Sequence, residues 1–233
     1  NVENHPVSSK WVQRALDNGA TWIVVDPRYT RSAEMADIYC PIRSGTDIAF
    51  YGGLFNYILE HDLWQHEYVL NYTNASYLLD EEYSFDVETG IFSGFDKDSA
   101  TYDAKTWHYQ VESTKEWDTS EGGAYAWAKA EGVPEFTPPT VEVPKRDMTL
   151  QDPMCVFQQM KKHYSRYDLD TVSATCGMDK ELLEKVYATY AATGAPDKSG
   201  TILYALGQTQ HTYGAQNCRS MGILQLLLGN VGV

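Results

Sequence analysis

The chain has 233 residues, 43% of them hydrophobic and 13% aromatic, enough to bury a sizeable core as one large domain or two small ones. Its formal net charge of −14 excludes a nucleic-acid backbone or an anionic membrane surface as the main partner, because both would repel it. No stretch approaches the roughly 20 apolar residues of a membrane span, so direct membrane insertion is not expected, and the N-terminus NVENHPVSSK lacks the order of a signal peptide.

Taken in chain order, PVSSKWVQRALDN places Val7, Trp11, Ala15 and Leu16 on one helical face, with Gly19 where a left-handed cap belongs. Thr21 to Val25 reads as a short strand, apolar on both faces as a strand covered from two sides must be. A DPRYTR turn follows, then a short helix over Ser32 to Asp37 and a strand Ile38 to Ile42, kept short by Pro41. After RSGTD, the apolar residues Ile48, Tyr51, Leu54, Phe55, Ile58 and Leu59 recur at helical spacing, with Thr46 or Asp47 as the cap. Residues 71–150 break this alternation. They are rich in Tyr, Asp, Ser, Thr, Gly and Pro, include the loop-like PEFTPPTVEVPKRD, and read as a long irregular insertion.

Helical patterns return over Asp152 to Tyr164 and Asp179 to Thr193, the second with a stripe of Leu182, Leu183, Val186, Tyr187 and Tyr190 and with Gly194 at its end. Thr201 to Ala205 reads as a strand, followed by GQTQHTYGAQN and a helix through Leu228. The alternation predicts an α/β fold, a Rossmann-like parallel sheet covered by helices on both faces. Its cofactor-binding domain is expected over 1–70 and again over 151–233, interrupted by the insertion 71–150. Asn1 is not a Met, and the chain stops just after an apolar run, so a segment of a longer polypeptide is expected, running into a further domain.

Cys40, Cys155, Cys176 and Cys218 lie far apart, with no C-x-x-C pair for zinc or an iron–sulfur cluster, and read as free buried thiols. His61 and His66 are five apart and face different ways on a helix, which disfavours a metal pair. The glycine fingerprints of phosphate-binding loops are absent. What remains is three polar exits at expected strand ends: DPRYT, RSGTD and GQTQH. In an open parallel sheet ligands bind beyond the carboxyl ends of the strands. Asp26 and Asp47 suit a ribose diol or the N1–H and N2–H₂ pair of guanine, and Arg28 and Arg31 suit phosphates. Each has a plainer reading: Asp-Pro starts turns, Asp47 can cap its helix, and Arg28 can pair with Glu34 or Asp37 on the surface.

The pieces NVENHPVSSKWV, IVVDPRYTRSAEMADIYCPIRSGTDIAF, EYVLNYTNASYL, FSGFDKDSATYD and LYALGQTQHTYGAQNCRSMGILQLLLGN together resemble an internal segment of the large, catalytic alpha subunit of formate dehydrogenases. These belong to the molybdopterin guanine dinucleotide oxidoreductase superfamily. The resemblance implies two molybdopterin guanine dinucleotides with molybdenum or tungsten, and a 4Fe-4S cluster elsewhere in the subunit. It implies formate as substrate, oxidised to CO₂, an iron–sulfur beta subunit and a cytochrome as partners, and a periplasmic location. It implies cofactor contacts at Asp26, Pro27, Arg28, Tyr29 and Thr30, at Gly45, Thr46 and Asp47 for the guanosine end, at Glu3 and Asn4, and at Leu206, Gly207 and Gln210. The metal ligand, a cysteine or selenocysteine before a His, would match upstream of Asn1 and the formate-holding Arg downstream of Val233, so no catalytic residue is expected in this segment. His211 fits a supporting place behind the metal, and a buried histidine at a helix start is an equal reading. The rivals are an oxo-transfer molybdoenzyme of the nitrate or polysulfide reductase type and a non-redox α/β binding module.

Overall fold

In the computed structural model, residues 2–116 and 140–232 are described, and the first part of the loop-like PEFTPPTVEVPKRD lies outside them. The chain divides into two compact units, Asn1–Thr73 with Lys161–Val233, and Asn74–Met160.

The first unit is mixed α/β. Helix α1 (Pro6–Asp17) begins with Pro at its first turn, where the missing N–H costs nothing, and ends before Gly19 at φ +89°. Its expected apolar face is not buried. Val7 and Trp11 stand exposed, and the Arg14 guanidinium lies 4.7 Å over the Trp11 ring. Strands β1 (Ile23–Val25) and β2 (Ile38–Cys40) pair in parallel with Ile23 opposite Ile38 and Val25 opposite Cys40. Helix α2 (Arg31–Glu34) connects them, and Thr30 caps it by accepting from the Ala33 N–H at 3.3 Å. Ile38 and Cys40 are buried, while β1 is only half-buried and Val25 is exposed, so the two-sided cover expected for that strand is not seen.

The core of this unit is helix α3 (Asp47–Glu60). Phe50, Tyr51, Leu54, Phe55, Ile58 and Leu59 are all buried, because helices α6 (Leu169–Cys176), α7 (Lys180–Ala191) and α9 (Gly214–Leu227) pack around it. The approach is close: a Cβ on Gly53 would lie 2.6 Å from the Tyr187 hydroxyl and 2.8 Å from Val172 Cγ2. That hydroxyl donates to the Phe50 carbonyl at 2.6 Å in a fully buried setting. Helix α4 (His66–Tyr72) follows α3, and α5 (Val156–Tyr164) crosses the boundary between units. The expected helix over Asp179 to Thr193 is α7, capped by Asp179 and closing through a 3₁₀ turn, Ala192–Gly194, instead of a left-handed glycine.

Thr201 to Ala205 forms no strand. The residue before it is held by side-chain amides: Gly200 N–H donates to Asn230 Oδ1 at 2.9 Å and Gln225 Nε2 to the Gly200 carbonyl at 3.1 Å. Leu203 and Tyr204 are exposed, and no described strand offers them a ladder, so β propensity alone does not make the element. The parallel sheet among the described residues therefore has two strands.

The second unit holds two small antiparallel hairpins, β3 (Phe95–Asp96) with β4 (Thr101–Tyr102), and β5 (Val111–Glu116) with β6 (Thr140–Pro144). The second corrects the loop reading of PPTVEVP: Val141 and Val143 alternate with polar residues and pair across to Lys115 and Ser113. In this unit an aromatic chain runs Phe85, Phe92, Trp107 and Tyr102, with ring centroids 4.9, 5.9 and 5.1 Å apart.

Candidate functional site

Parallel pairing puts the exits of β1 and β2 on one edge, and Asp26 N–H extends the ladder to the Cys40 carbonyl at 3.2 Å. The first exit is held mainly by local bonds. Asp26 Oδ1 accepts the Arg28 N–H at 2.8 Å, an Asx turn that sets the Pro27 corner. The Tyr39 hydroxyl donates to the Asp26 carbonyl at 3.0 Å, and Tyr29, largely exposed, sits edge-on to the Tyr39 ring at 5.1 Å. Arg28 is exposed and makes no ion pair among the described residues, and Asp37, its suggested surface partner, accepts the Trp22 N–H at 2.8 Å. The N-terminal piece lies against this exit: Val2 N–H donates to Ser32 Oγ at 3.2 Å, and Glu3 pairs with Arg31 at 3.4 Å. Asn4 is exposed in a turn.

The second exit is gripped from afar. Gly45 takes φ +84°, a conformation side chains resist, and a Cβ there would sit 3.1 Å from the Tyr213 hydroxyl, which donates to the Gly45 carbonyl. Thr46 precedes α3 and its hydroxyl donates to the Arg43 carbonyl at 2.7 Å. Arg43 turns away from the edge: its guanidinium donates to the Thr175 carbonyl at 2.7 Å and the Ala174 carbonyl at 3.3 Å, serving as a cation at the end of α6. The Cys176 thiol beneath is pushed up by burial and donates weakly to the Thr46 carbonyl.

Asp47 stands at the first turn of α3 with its side chain 12% exposed. It accepts one hydrogen bond among the described residues, from Gln208 Nε2 to Oδ1 at 2.8 Å, and His211 Nε2 lies 4.0 Å from Oδ2. That histidine nitrogen is also 2.9 Å from the Gly207 carbonyl, which can only accept, so it carries the proton. Below, the Tyr51 phenol is pushed well up, first by burial and then by the charge of Asp47. A carboxylate so placed retains acceptor positions for a paired donor edge, such as guanine N1–H and N2–H₂.

Helix α8 (Leu206–Thr209) supplies the third face. Leu206 is exposed, Gly207 has nothing within 4 Å of where a Cβ would stand, and Gln210, exposed, ends the turn with its N–H on the Leu206 carbonyl. The amide that meets Asp47 is Gln208, a residue the sequence reading did not single out. Gln208 and His211, either side of the helix end, both approach Asp47. Tyr213 and the fully buried Asn217, which donates from Nδ2 to the Gln208 carbonyl at 2.9 Å, were missed too.

The four cysteines are free, as expected; Cys40, Cys155 and Cys176 are buried, but Cys218 is only half-buried.

No protein-family model matches the chain. The formate dehydrogenase subunit alpha of Megalodesulfovibrio gigas is 52% identical over 232 residues, all of this chain and 20% of that protein. Formate dehydrogenase 2 subunit alpha (cytochrome c-553) of Nitratidesulfovibrio vulgaris is 46% identical over 232 residues, with the same coverage. The chain thus spans about a fifth of the length of these curated relatives. Among solved structures, acetylene hydratase from Pelobacter acetylenicus superposes with a TM-score of 0.57 over 98% of this chain and 20% of that one, at 20% identity, a likeness of fold.

Proposed function

We propose, from a chain that is homologous over its whole length to one fifth of the formate dehydrogenase alpha subunit, that it holds the guanine nucleotide end of a molybdopterin cofactor in an enzyme oxidising formate to CO₂. The observation that carries this reading is Asp47: a carboxylate largely withdrawn from water, at the carboxyl edge of a parallel strand pair, with acceptor positions left open. The residues present fit a guanosine there. Asp47 accepts from the base edge, the Gly45 and Thr46 turn brings backbone close, and the exposed Arg28 on the neighbouring loop, with no ion pair among the described residues, can turn its guanidinium to phosphate.

Asp26, Pro27, Tyr29 and Thr30 shape that neighbouring loop, with Glu3 and Asn4 alongside, and Leu206, Gly207 and Gln210 form the exposed rim of α8. When bound, the molybdenum or tungsten centre supplies the two-electron chemistry. This chain's residues bind and orient the nucleotide, and His211 holds its proton at Nε2 beside Asp47. The reading brings with it a second guanine dinucleotide, a 4Fe-4S cluster and a cysteine or selenocysteine ligand outside this segment, an iron–sulfur beta subunit, a cytochrome acceptor and a periplasmic site of action. The resemblance supports these, and one relative's name carries cytochrome c-553. The division into a cofactor domain over 1–70 and 151–233 with an insertion over 71–150 is proposed likewise.

The test is an assay of the full-length subunit with formate and a viologen dye, alongside GMP release by acid hydrolysis. Formate-dependent dye reduction with GMP present is expected. GMP without formate activity would point to an oxo-transfer enzyme, and no GMP would leave only an α/β binding module.

A further inference from the structure

Behind Asp47 stands a relay of two amides that closing the fold does not explain. Gln208 donates from Nε2 to Asp47 Oδ1, and its own backbone carbonyl is held by Nδ2 of Asn217, whose side chain is fully buried in α9. Both amide oxygens, Gln208 Oε1 and Asn217 Oδ1, are buried and have no hydrogen-bond partner among the described residues. Buried amides in folded proteins nearly always satisfy their acceptors, and orphaned ones are a cost that apolar side chains of like size would avoid. Local rules of this sort are broken where function needs the geometry. Here the amides fix a single carboxylate: with Oδ1 tied to Gln208, the plane of the Asp47 carboxylate is set and Oδ2 is presented toward His211.

We propose that Gln208, backed by Asn217, is a positioning residue for Asp47, setting the carboxylate so that it accepts the N1–H and N2–H₂ groups of guanine together. This rests on the nucleotide reading above. A carboxylate held in plane engages both donors of guanine. A carboxylate free to turn engages N1–H alone, which hypoxanthine also carries. Gln208 thereby determines the preference for GMP over IMP, which differ only in the N2 amine.

The experiment uses the full-length alpha subunit produced in a host blocked in pterin synthesis, titrated calorimetrically with GMP and with IMP. The wild type is expected to prefer GMP. Gln208→Met, close in length but without a donor, is expected to weaken GMP binding about tenfold and IMP binding little, so the ratio falls toward one. Gln208→Glu keeps the shape and places a second carboxyl beside Asp47, which raises its pKa. GMP binding by this variant is expected to be weak at neutral pH and to recover toward about pH 5, as the new carboxyl takes up a proton and donates as the amide did. His211, Tyr51 and Cys176 also face Asp47, and the wild-type pH series supplies their common background. An unchanged GMP to IMP ratio in Gln208→Met, an equal loss of both nucleotides, or no acid recovery in Gln208→Glu beyond that of the wild type would overturn the proposal. A wild-type subunit that binds neither nucleotide and yields no GMP from the holoprotein would overturn the nucleotide reading itself.

Discussion

The two loops that leave the paired strands are built on opposite plans. The Asp26 loop is held by short-range bonds, since its carboxylate caps the Arg28 N–H two residues on, its Thr30 caps the helix it enters, and its Arg28 and Tyr29 stay exposed. The Asp47 loop depends on residues far along the chain: Gln208, Tyr213 and the end of α6 through Arg43. A locally held loop survives damage elsewhere, whereas a clamped loop transmits it. The clamped loop is also the one whose carboxylate is withdrawn from water, where a hydrogen bond to a ligand counts for most.

The sharpest way to break the comparison is through the core beneath α3. Tyr187→Ala removes a fully buried ring and its bond to the Phe50 carbonyl, and is expected to cost about 3–5 kcal/mol of stability by urea unfolding. It should release Asp47 with it. If GMP retention were unaffected, the dependence of Asp47 on the packing beneath α3 would be wrong. Next in size, Asp47→Ala is expected to lower nucleotide affinity by about 1.5–3 kcal/mol, while Asp26→Ala should cost about 1 kcal/mol of stability through its turn. Equal nucleotide losses in the two variants would erase the distinction between the loops. Gly45→Ala, forced into positive φ against the Tyr213 hydroxyl, should cost about 1–2 kcal/mol. Gly207→Ala, with open space around it, should leave stability unchanged, so a loss of cofactor in that variant alone would mark close backbone approach by the ligand.

A further effect, away from both loops, is a pH dependence. Burial, with Arg166 beside it, pushes the His163 imidazole down to about 4 from its ordinary value near 6.5. Between those values the unfolded chain binds the proton and the folded one does not, so stability rises with pH across that window and is lost as pH falls from about 6.5 toward about 4. Asp147, held down to about 2 by the Thr149 hydroxyl and neighbouring N–H groups, gives its own loss only at lower pH. His163→Asn should flatten the upper window in urea midpoints measured against pH, and an unchanged slope there would reject the assignment.

Much of the helical frame was legible because its residues recur at the spacing at which they are buried. Leu54, Phe55, Ile58 and Leu59 in α3, and Leu183, Val186 and Tyr187 in α7, are core residues on the faces their periodicity marked. Helix α6 escaped notice because LDTVSATC has little apolar period, although Asp168 at its start and Gly177 at φ +64° at its end were both in plain view as caps. Strand pairing was less legible. Thr201 to Ala205 has strand composition and no partner, while Thr140–Pro144 sits among prolines and pairs with Val111–Glu116, because a ladder is decided by what lies across from it. At the site, the acid at the strand end could be read, but that Gln208 reaches it depends on how a four-residue helix turns.

The central claim is that the edge around Asp47 holds a guanine nucleotide. Its most direct test is GMP and metal analysis, by acid hydrolysis and plasma mass spectrometry, of the full-length protein as wild type and as Asp47→Ala. The account predicts about two GMP per molybdenum or tungsten in the wild type and a lower GMP content in the variant. A wild type without GMP, or a variant that retains all of it, would contradict the claim.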